Sequence, residues 1–399
     1  MGYTISRLSS VKQSASASIS EKARLMRAQG KPVVDLGLGE PDFDTPIHII
    51  DAAYRAALNG ETRYTNTSGT HALRSAVSEK FLKENNLHLP PNQVFVANGA
   101  KQVIFNALMA TLEFGHEVIF CAPYFDSYRN MVKVLGGEIT VIQCRAEDNF
   151  ILSPEALEHA ITPATRWLIL NSPSNPAGAV YRAAQYRALG DVLARHPHVL
   201  VMSDEIYEHI VFDNVEFVSF AAVCPELCDR TLTINGVSKA YAMTGWRIGY
   251  GGGPTELINA MTTIQSQICS GASAISQAAA LAALTGPQDC VEAFRNSYQA
   301  RRDLVVEAVS KIDGLKLQPP EGAFYALIDA REALKRRAMT DVEFVHELLD
   351  RAGVAAVPGS VYEMPGFFRI STASNHAILE DAMNRIASLV QKSPSGVAA

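Results

Sequence analysis

A lysine and an arginine stand eight positions apart in residues 235–249, a segment rich in small and hydroxyl-bearing side chains. An amine that attacks a carbonyl must first lose its proton, so Lys239 would need burial or a neighbouring cation. Arg247 is a candidate for that cation. Its planar guanidinium also suits a phosphate, to which Ser238 could add a hydroxyl. Taken alone, such a pair is more often a surface lysine and a packing arginine, so other segments must support the chemistry.

A carboxylate follows the apolar run at residues 199–202. Because α/β sheets bind ligands beyond the carboxyl ends of their strands, Asp204 is expected at a binding site. There it could face a basic ring nitrogen and keep it protonated, while Tyr207 could hydrogen-bond an oxygen of the same ring. The alternative is an acid that caps the next helix.

Three further segments present polar groups suited to ligand binding. Residues 98–102 follow a predicted strand and open a helix, whose first backbone amides are free to bind a phosphate. Prolines in residues 171–178 fix the position of Asn175. Arg369 lies between two apolar residues and could bind a carboxylate through two hydrogen bonds. An ordinary strand-to-helix turn and a partly exposed strand arginine are the alternative interpretations.

The elements that position these residues follow from apolar periodicity. Short β-branched runs alternate with stretches in which apolar residues recur every three or four positions, a pattern typical of an α/β fold with a mostly parallel sheet. Helices are predicted between the strands, as at residues 102–112 and 183–195. The seven predicted strands are residues 94–96, 118–120, 139–142, 167–170, 199–202, 231–234 and 247–250.

From about residue 292 the pattern changes and predicts a smaller α+β domain. It indicates a long helix through residue 312, short strands near 324–328 and 368–370, and a terminal helix from His376. The N-terminal segment, with a helix near 19–29 and a strand at 33–36, has no place in the central sheet. We therefore predict a large domain of residues 46–290 and a small domain of residues 1–45 and 291–399.

Composition narrows the function classes. The chain has 399 residues, 48% of them apolar, and a net charge of −6 without a long like-charge run, so nucleic acid is not an expected partner. Six scattered cysteines without metal-site or redox spacing predict reduced thiols and no metal site. Neither a secretory signal nor an apolar run of about 18 residues is present, which predicts a cytoplasmic enzyme without a membrane partner.

Together these segments resemble the class I and II aminotransferases, which depend on pyridoxal 5′-phosphate, and specifically their bacterial aspartate aminotransferase branch. The resemblance covers nearly the whole chain, and Gly236-Val-Ser-Lys239 with Thr244-Gly-Trp-Arg247 matches the family's lysine-attachment signature. It implies an aspartate-aminotransferase-like fold whose large domain binds the cofactor. The implied reaction, in amino acid metabolism, moves an amino group from an amino acid, expected to be aspartate, to 2-oxoglutarate by a ping-pong mechanism.

The resemblance also implies a role for each matching residue. Lys239 would bind the cofactor covalently and move protons, Asp204 would face the ring nitrogen, and Tyr207 would donate to the ring oxygen. Phe125 would stack on the ring, where many aspartate aminotransferases carry Trp. The residues implied to hold the phosphate are Gly99, Ala100, Lys101, Ser238 and Arg247. The residues implied to bind the substrate are Gly39, Lys101, Asn175 and Arg369, with Asn175 also a ring-oxygen donor.

The family pairs two chains, so that a tyrosine of one reaches the phosphate bound by the other, and Tyr64 matches that tyrosine. Aspartate selectivity requires a cation for the distal carboxylate, yet no Lys or Arg occurs between positions 260 and 294. The resemblance assigns this work to Lys101, helped by hydroxyls at Ser14 and Ser16. Gln13 and Ser16 stand where close relatives often have Pro and Thr, so an aromatic, prephenate or broad-range aminotransferase stays open.

Other classes use some of the same residues. Residues 236–240 nearly match the elbow of serine hydrolases, with Ser238 as nucleophile, but the last glycine of that motif is missing. A pyridoxal-phosphate lyase or decarboxylase needs the same electron sink and is poorly separated by sequence. No Gly-x-x-x-x-Gly-Lys loop or Gly-x-Gly-x-x-Gly fingerprint supports a nucleotide enzyme.

Overall fold

The computed structural model describes residues 8, 9, 11 and 15–391, and the side chains of the first helix from residue 17 onward. Gln13 and Ser14 lie outside these residues, as does the side chain of Ser16. The α-helices are α1 (Ala15–Ala28), α2 (Ile47–Leu58), α3 (His71–Asn85), α4 (Ala100–Thr111), α5 (Asp126–Leu135), α6 (Pro154–Ala160), α7 (Ala183–Ala194), α8 (Phe220–Val223), α9 (Thr255–Ile268), α10 (Ala274–Thr285), α11 (Asp289–Ser310), α12 (Arg331–Arg337), α13 (Asp341–Glu347) and α14 (His376–Gln391).

The strands form three separate sheets. They are β1 (Val34–Asp35), β2 (Val94–Ala97), β3 (Glu117–Ala122), β4 (Glu138–Gln143), β5 (Thr165–Asn171), β6 (Leu200–Asp204), β7 (Thr231–Gly236), β8 (Gly249–Gly252), β9 (Tyr325–Asp329), β10 (Val354–Ala355), β11 (Val357–Pro358) and β12 (Phe367–Ser371). Seven of them form one sheet in the order β2-β8-β7-β6-β5-β3-β4, in which β8 alone runs antiparallel to its neighbours. The predicted α/β fold with a mostly parallel seven-stranded sheet is confirmed.

Both faces of this sheet are covered, because its central strands are apolar on each side. On β5, Leu168 and Leu170 face one core with α7, whereas Trp167 and Ile169 face the opposite core with α4 and α5. The Trp167 indole also donates a hydrogen bond of 2.8 Å to Thr111. The buried sheet leaves its carboxyl edge as the place where polar side chains can meet.

The last predicted strand, residues 247–250, is misplaced by two positions. β8 begins at Gly249, and Arg247 lies in the preceding turn with φ of +57°. The strand is rich in glycine because α4 lies against it: a Cβ on Gly249 would lie 2.0 Å from the amide nitrogen of Ala100. This close approach brings the start of α4 beside Arg247.

The remaining strands belong to a smaller unit. β11, β12 and β9 form an antiparallel sheet, and β1 pairs in parallel with β10, so the N-terminal segment packs with the C-terminal region. β10 and β11 span two residues each and were not predicted. The boundaries of the two domains stay a prediction. No helix in residues 15–391 combines the length and the apolar character needed to cross a membrane.

Candidate active site

A cavity of about 420 Å³ opens at the carboxyl edge of the seven-stranded sheet, a size suited to a small molecule. Its walls come from the ends of β5 and β6, the turn after β7, the start of α4, and residues near the N-terminus, β9 and β12. The lining residues are Ala17, Leu38, Gly39, Glu40, Ala100, Lys101, Ile104, Phe125, Tyr128, Asn171, Asn175, Asp204, Ile206, Tyr207, Ser238, Lys239, Thr244, Arg247, Tyr325 and Arg369.

Asp204 ends β6, in the middle of the sheet, and is buried. The Tyr128 hydroxyl donates a hydrogen bond of 2.5 Å to its Oδ2 atom, and the amide of Ile206 donates one of 3.2 Å to Oδ1. Burial raises the pKa of Asp204 to about 6, although these two hydrogen bonds and the charge of Lys239 oppose the shift. Asp204 is therefore mostly ionised at neutral pH, and its pKa depends on the charge of the groups that face it.

Lys239 lies in the turn after β7, and its Nζ atom donates a hydrogen bond of 2.6 Å to the carbonyl oxygen of Gly39. Burial lowers the pKa of Lys239 to about 8. The negative charge of Glu40 opposes this shift, and the charges of Arg369 and Arg247 reinforce it. A useful fraction of this amine is therefore neutral, and hence nucleophilic, near physiological pH.

One end of the cavity is built to bind an anion. Gly99, with φ of +90°, precedes α4, whose first amides lack partners within the helix. A Cβ on Gly99 would lie 2.3 Å from a guanidinium nitrogen of Arg247, so glycine leaves the room that Arg247 occupies. Arg247 is held by the carbonyl oxygens of Thr244 at 2.9 Å and Asn98 at 3.1 Å. With the Ser238 hydroxyl in the same wall, these donors suit a phosphate group.

At another side of the cavity Arg369 is buried rather than partly exposed, with 2% of its surface accessible. Its guanidinium donates hydrogen bonds to Oδ1 of Asn175, at 3.1 Å, and to the carbonyl oxygen of Gly37. It also lies over the ring of Tyr325, 4.5 Å from the centroid. A fixed, buried guanidinium of this kind is suited to binding a carboxylate.

The structure brings together most of the residues singled out from sequence. Those that line the cavity are Gly39, Ala100, Lys101, Phe125, Asn175, Asp204, Tyr207, Ser238, Lys239, Arg247 and Arg369. Gly99 lies behind Arg247. Tyr64 is outside the cavity, 94% exposed, in a second groove with residues 269–275.

Sequence reasoning missed three contributors to the site. Tyr128, the hydrogen-bond donor to Asp204, lies in the first turn of α5, three residues after Phe125, and its place in the same aromatic segment was the available signal. Tyr325 contacts Tyr207, with 2.8 Å between the hydroxyl oxygens, and a Cβ on Gly39 would lie 1.9 Å from its hydroxyl. Glu40 lines the cavity and accepts a hydrogen bond from Thr244.

The arrangement weighs against a serine hydrolase. Among the described residues, the cavity wall that contains Ser238 includes no histidine to act as its base. Arg247, at the same end of the cavity, also has no part in that mechanism.

The lowered pKa of Lys239 is directly testable on the protein without added ligand. We expect its acylation by a small amine-reactive reagent, followed by peptide mass spectrometry, to reach half its maximal rate near pH 8. The exposed Lys311 is the comparison site in the same sample. Parallel pH profiles at the two lysines would contradict the electrostatic description of the cavity.

Comparison with known proteins identifies the family. The family model described as aminotransferase class I and II matches residues 31–386. An aspartate aminotransferase of Rhizobium meliloti (strain 1021) is 52% identical over 96% of this chain and 95% of its own. An aspartate/prephenate aminotransferase of Nitrosomonas europaea is 44% identical over 96% of this chain and 98% of its own.

Solved structures agree with the sequence relatives. A crystal structure of the Rhizobium meliloti aspartate aminotransferase matches with a TM-score of 0.94 and 50% identity, over 98% of this chain and 99% of that one. The Thermus thermophilus aspartate aminotransferase with maleate matches with a TM-score of 0.92 and 41% identity, over 98% and 100% of the two chains. The chain therefore belongs to the class I and II aminotransferase family.

Proposed function

We propose that this protein is a pyridoxal-phosphate-dependent aminotransferase that transfers the amino group of aspartate to 2-oxoglutarate by a ping-pong mechanism. The observation that carries the proposal is that an amine with a pKa of about 8, Lys239, and a buried carboxylate, Asp204, line one cavity that ends in a cluster of anion donors. The family membership of the chain supports the same reaction.

The residues present fit the cofactor's chemical groups. Lys239 offers an amine for its aldehyde, the start of α4 with Ser238 and Arg247 offers donors for its phosphate, and Phe125 offers an aromatic face. When bound, pyridoxal phosphate supplies an electron-withdrawing ring that stabilises negative charge on the substrate's α-carbon. Asp204 would hold a proton on the ring nitrogen, because a carboxylate paired with a cation stays ionised.

Hydrogen-bond donors for the ring oxygen are available as well. Oδ1 of Asn175 accepts from Arg369, so its Nδ2 group is the part left to donate. The hydroxyls of Tyr207 and Tyr325 are hydrogen-bonded to each other. When Tyr325 is the donor, the Tyr207 hydroxyl can donate its own proton into the cavity. These two residues would fix the ring's orientation between Lys239 and Asp204.

Lys239 is suited to moving a proton, because its pKa lies near the working pH. Its Nζ atom can take up and return a proton at neutral pH without a large energetic cost. Arg369 and the amide of Gly39 would hold the substrate's α-carboxylate beside it, since both line the same part of the cavity. Asn175, which bonds Arg369, would keep that guanidinium in place.

Lys101 supports aspartate as the donor. It lines the cavity at the start of α4, and its ammonium lies 5.1 Å from the ring centroid of Phe125. Burial lowers its pKa, while Asp126 raises it and Arg247 lowers it further. Curated relatives carry the names aspartate and aspartate/prephenate aminotransferase, and the Thermus structure contains maleate, a dicarboxylate. For the substrate, the alternative is a prephenate, aromatic or broad-range specificity. For the reaction, the alternative is a lyase or decarboxylase, which would need the same cavity.

An apolar surface supports a homodimer. On α2 the side chains of Ile47, Ile50, Tyr54 and Leu58 form a stripe between 39% and 70% exposed, at helical spacing. Tyr64 follows this helix and is exposed in the second groove. We infer that two chains pair through this surface and that Tyr64 reaches the phosphate held by the partner chain.

We also propose two domains and a cytoplasmic location for this protein. A large domain of residues 46–290 and a small one of residues 1–45 and 291–399 agree with the separate sheets and with a core that the small unit forms by itself, and limited proteolysis tests these boundaries. A cytoplasmic location agrees with the six free cysteines, and cell fractionation tests it.

Borohydride reduction of the protein loaded with pyridoxal phosphate tests the central assignment. We expect the pyridoxyl group on Lys239, located by peptide mapping, because its amine lies in the cavity and burial lowers its pKa to about 8. Lys239→Ala should keep the thermal midpoint and lose both the label and several orders of magnitude in turnover. Recovery of the label on another lysine would refute the assignment.

Lys101→Ala tests the choice of aspartate. We expect its KM for aspartate to rise by about tenfold or more, and that for alanine to change little, because only aspartate has a distal carboxylate to lose its cation. Lys101→Arg, which keeps the charge, should restore most of the affinity. An equal effect on both substrates would assign Lys101 to the phosphate alone. A screen of amino acids by cofactor absorbance then separates transamination from elimination or decarboxylation.

Sedimentation equilibrium tests the pairing surface. The wild-type protein should be a dimer, and the double substitution Tyr54→Arg and Leu58→Arg should shift it towards monomer, because it places two cations on a stripe that the dimer would bury. Leu25→Arg is the matched control, since Leu25 is a similarly exposed apolar residue on α1, away from the stripe. A monomeric wild-type protein would exclude the dimer.

A further inference from the structure

The side chains of residues 204–208 lie on two sides of this short segment. Asp204 and Tyr207 line the cavity, whereas Glu205 and Glu208 are buried on its other side. The amide of Glu208 donates a hydrogen bond of 2.9 Å to the carbonyl oxygen of Glu205, which closes a tight turn. Glu205 is therefore joined through one tight turn to the two residues that face the cavity.

Behind the cavity these acids meet Lys80 and Asn85 of α3, and we call Lys80, Asn85, Glu205 and Glu208 the rear cluster. The Lys80 ammonium binds Glu208 and donates a hydrogen bond of 2.6 Å to Asn85. The Asn85 amide donates to Glu208 at 2.6 Å and more weakly to Oε2 of Glu205 at 3.4 Å. Asn85 thus bridges the two carboxyl groups.

The two oxygens of Glu205 have different surroundings. Oε1 accepts hydrogen bonds from the hydroxyls of Ser203 and Ser219, both at 2.8 Å, and from the amide of Phe220 at 3.2 Å. Among the described residues, Oε2 has only the long contact with Asn85. A proton on Glu205 would therefore be carried by Oε2, on the side of Glu208.

The buried charges of the rear cluster do not balance when both acids are ionised. One buried cation, Lys80, faces two buried carboxyl groups, and an unpaired buried charge is costly. Burial raises the pKa of Glu205 to about 8 and the charge of Glu208 adds to the shift, although the Ser219 and Ser203 hydroxyls and Lys80 oppose it. At neutral pH Glu205 is therefore mostly protonated.

Other titratable groups surround the rear cluster. Glu84 and His209 lie at its rim, 2.9 Å apart; Nδ1 of His209 also lies 3.5 Å from Glu208, and Lys80 lies 3.6 Å from Glu84. Neither Glu84 nor His209 is among the groups that bond Glu205. The remaining groups are buried phenols whose pKa values burial raises, so they stay neutral: Tyr186 facing Glu205, and Tyr241 and Tyr250 facing Glu208.

We infer that the rear cluster, with one proton on Glu205, positions Asp204 and Tyr207 for the cofactor. Loss of that proton places two carboxylates across Asn85, and their repulsion would displace the turn that carries both cavity residues. The inference rests on the proposed function, and it assigns Glu205 as a positioning residue that never touches the substrate.

The test is Glu205→Gln in the protein loaded with pyridoxal phosphate, because glutamine has the shape of the protonated acid and cannot ionise. The folded state raises the pKa of Glu205, so its contribution to stability is lost as the pH rises through about 8. Wild-type thermal midpoints should fall between about pH 7 and pH 9 more steeply than those of the variant. The dissociation constant for the cofactor, followed by absorbance, should also rise over this pH range. The rise should be about threefold larger for the wild type than for Glu205→Gln.

Two further variants sharpen the result. Ser219→Ala removes a donor that favours the ionised form, so its alkaline transition should move to higher pH. It also keeps the test usable if the glutamine variant fails to fold. Asp341→Asn is the matched control, a buried acid bonded to Ser360 far from the cavity, and should follow the wild-type cofactor profile.

Parallel cofactor profiles for wild type and Glu205→Gln would overturn the inference even if their thermal midpoints differed, because the cluster would then be only structural. A wild-type protein that binds no pyridoxal phosphate would instead refute the proposed function. The two failures are therefore distinguishable.

Discussion

Lys239 and Asp204 share a cavity that is too sheltered from water to stabilise both charges fully, and the rest of the site depends on this shared burial. It raises the pKa of Asp204 to about 6 and lowers that of Lys239 to about 8. The two groups are thereby brought to opposite sides of neutral pH, where one can serve as a lasting charge and the other as an exchanger of protons. The nearby hydrogen bond from Tyr128 keeps the carboxylate from becoming a neutral acid.

The N-terminal segment of residues 37–45 completes the site by joining its two sides. The carbonyl oxygen of Gly37 accepts from Arg369 and that of Gly39 from Lys239, so the segment bridges the small antiparallel sheet and the lysine turn. Farther along, Thr45 donates to the carbonyl oxygen of Ala242 at 2.7 Å. Asp42 forms a two-point ion pair with Arg301 of α11. These contacts fix residues 37–45, which form one wall of the cavity although they belong to no strand.

The turn after β6 carries acids that differ in charge state on its two sides, the side of the cavity and the side of the rear cluster. Under the proposed function Asp204 would be ionised opposite a cationic ring, whereas the rear cluster has one acid more than its single lysine can neutralise. Adjacent residues on the turn reach both sides because successive side chains leave the end of a strand on opposite faces. One short segment of this chain therefore has buried acids on both of its sides.

Much of this could be predicted from sequence, because local patterns determine local structure. Short β-branched runs located the sheet strands, and the residue types in four loops identified Lys239, Asp204, Asn175 and the start of α4. Arg247 was assigned to a strand because its neighbours are apolar, but its positive φ depends on contacts with Asn98 and Gly99. The strands β10 and β11 are too short to have a periodicity.

The amino-acid sequence by itself determined the α/β fold class, the family and the chemical identity of the residues at the site. Only the tertiary structure decided that Tyr325 lies against Gly39, that Tyr128 bonds Asp204, and that Glu205 faces away from the cavity. The physical reason is that a residue's type and local periodicity are written in the chain, whereas the partner of a buried polar group depends on which distant segments pack against it.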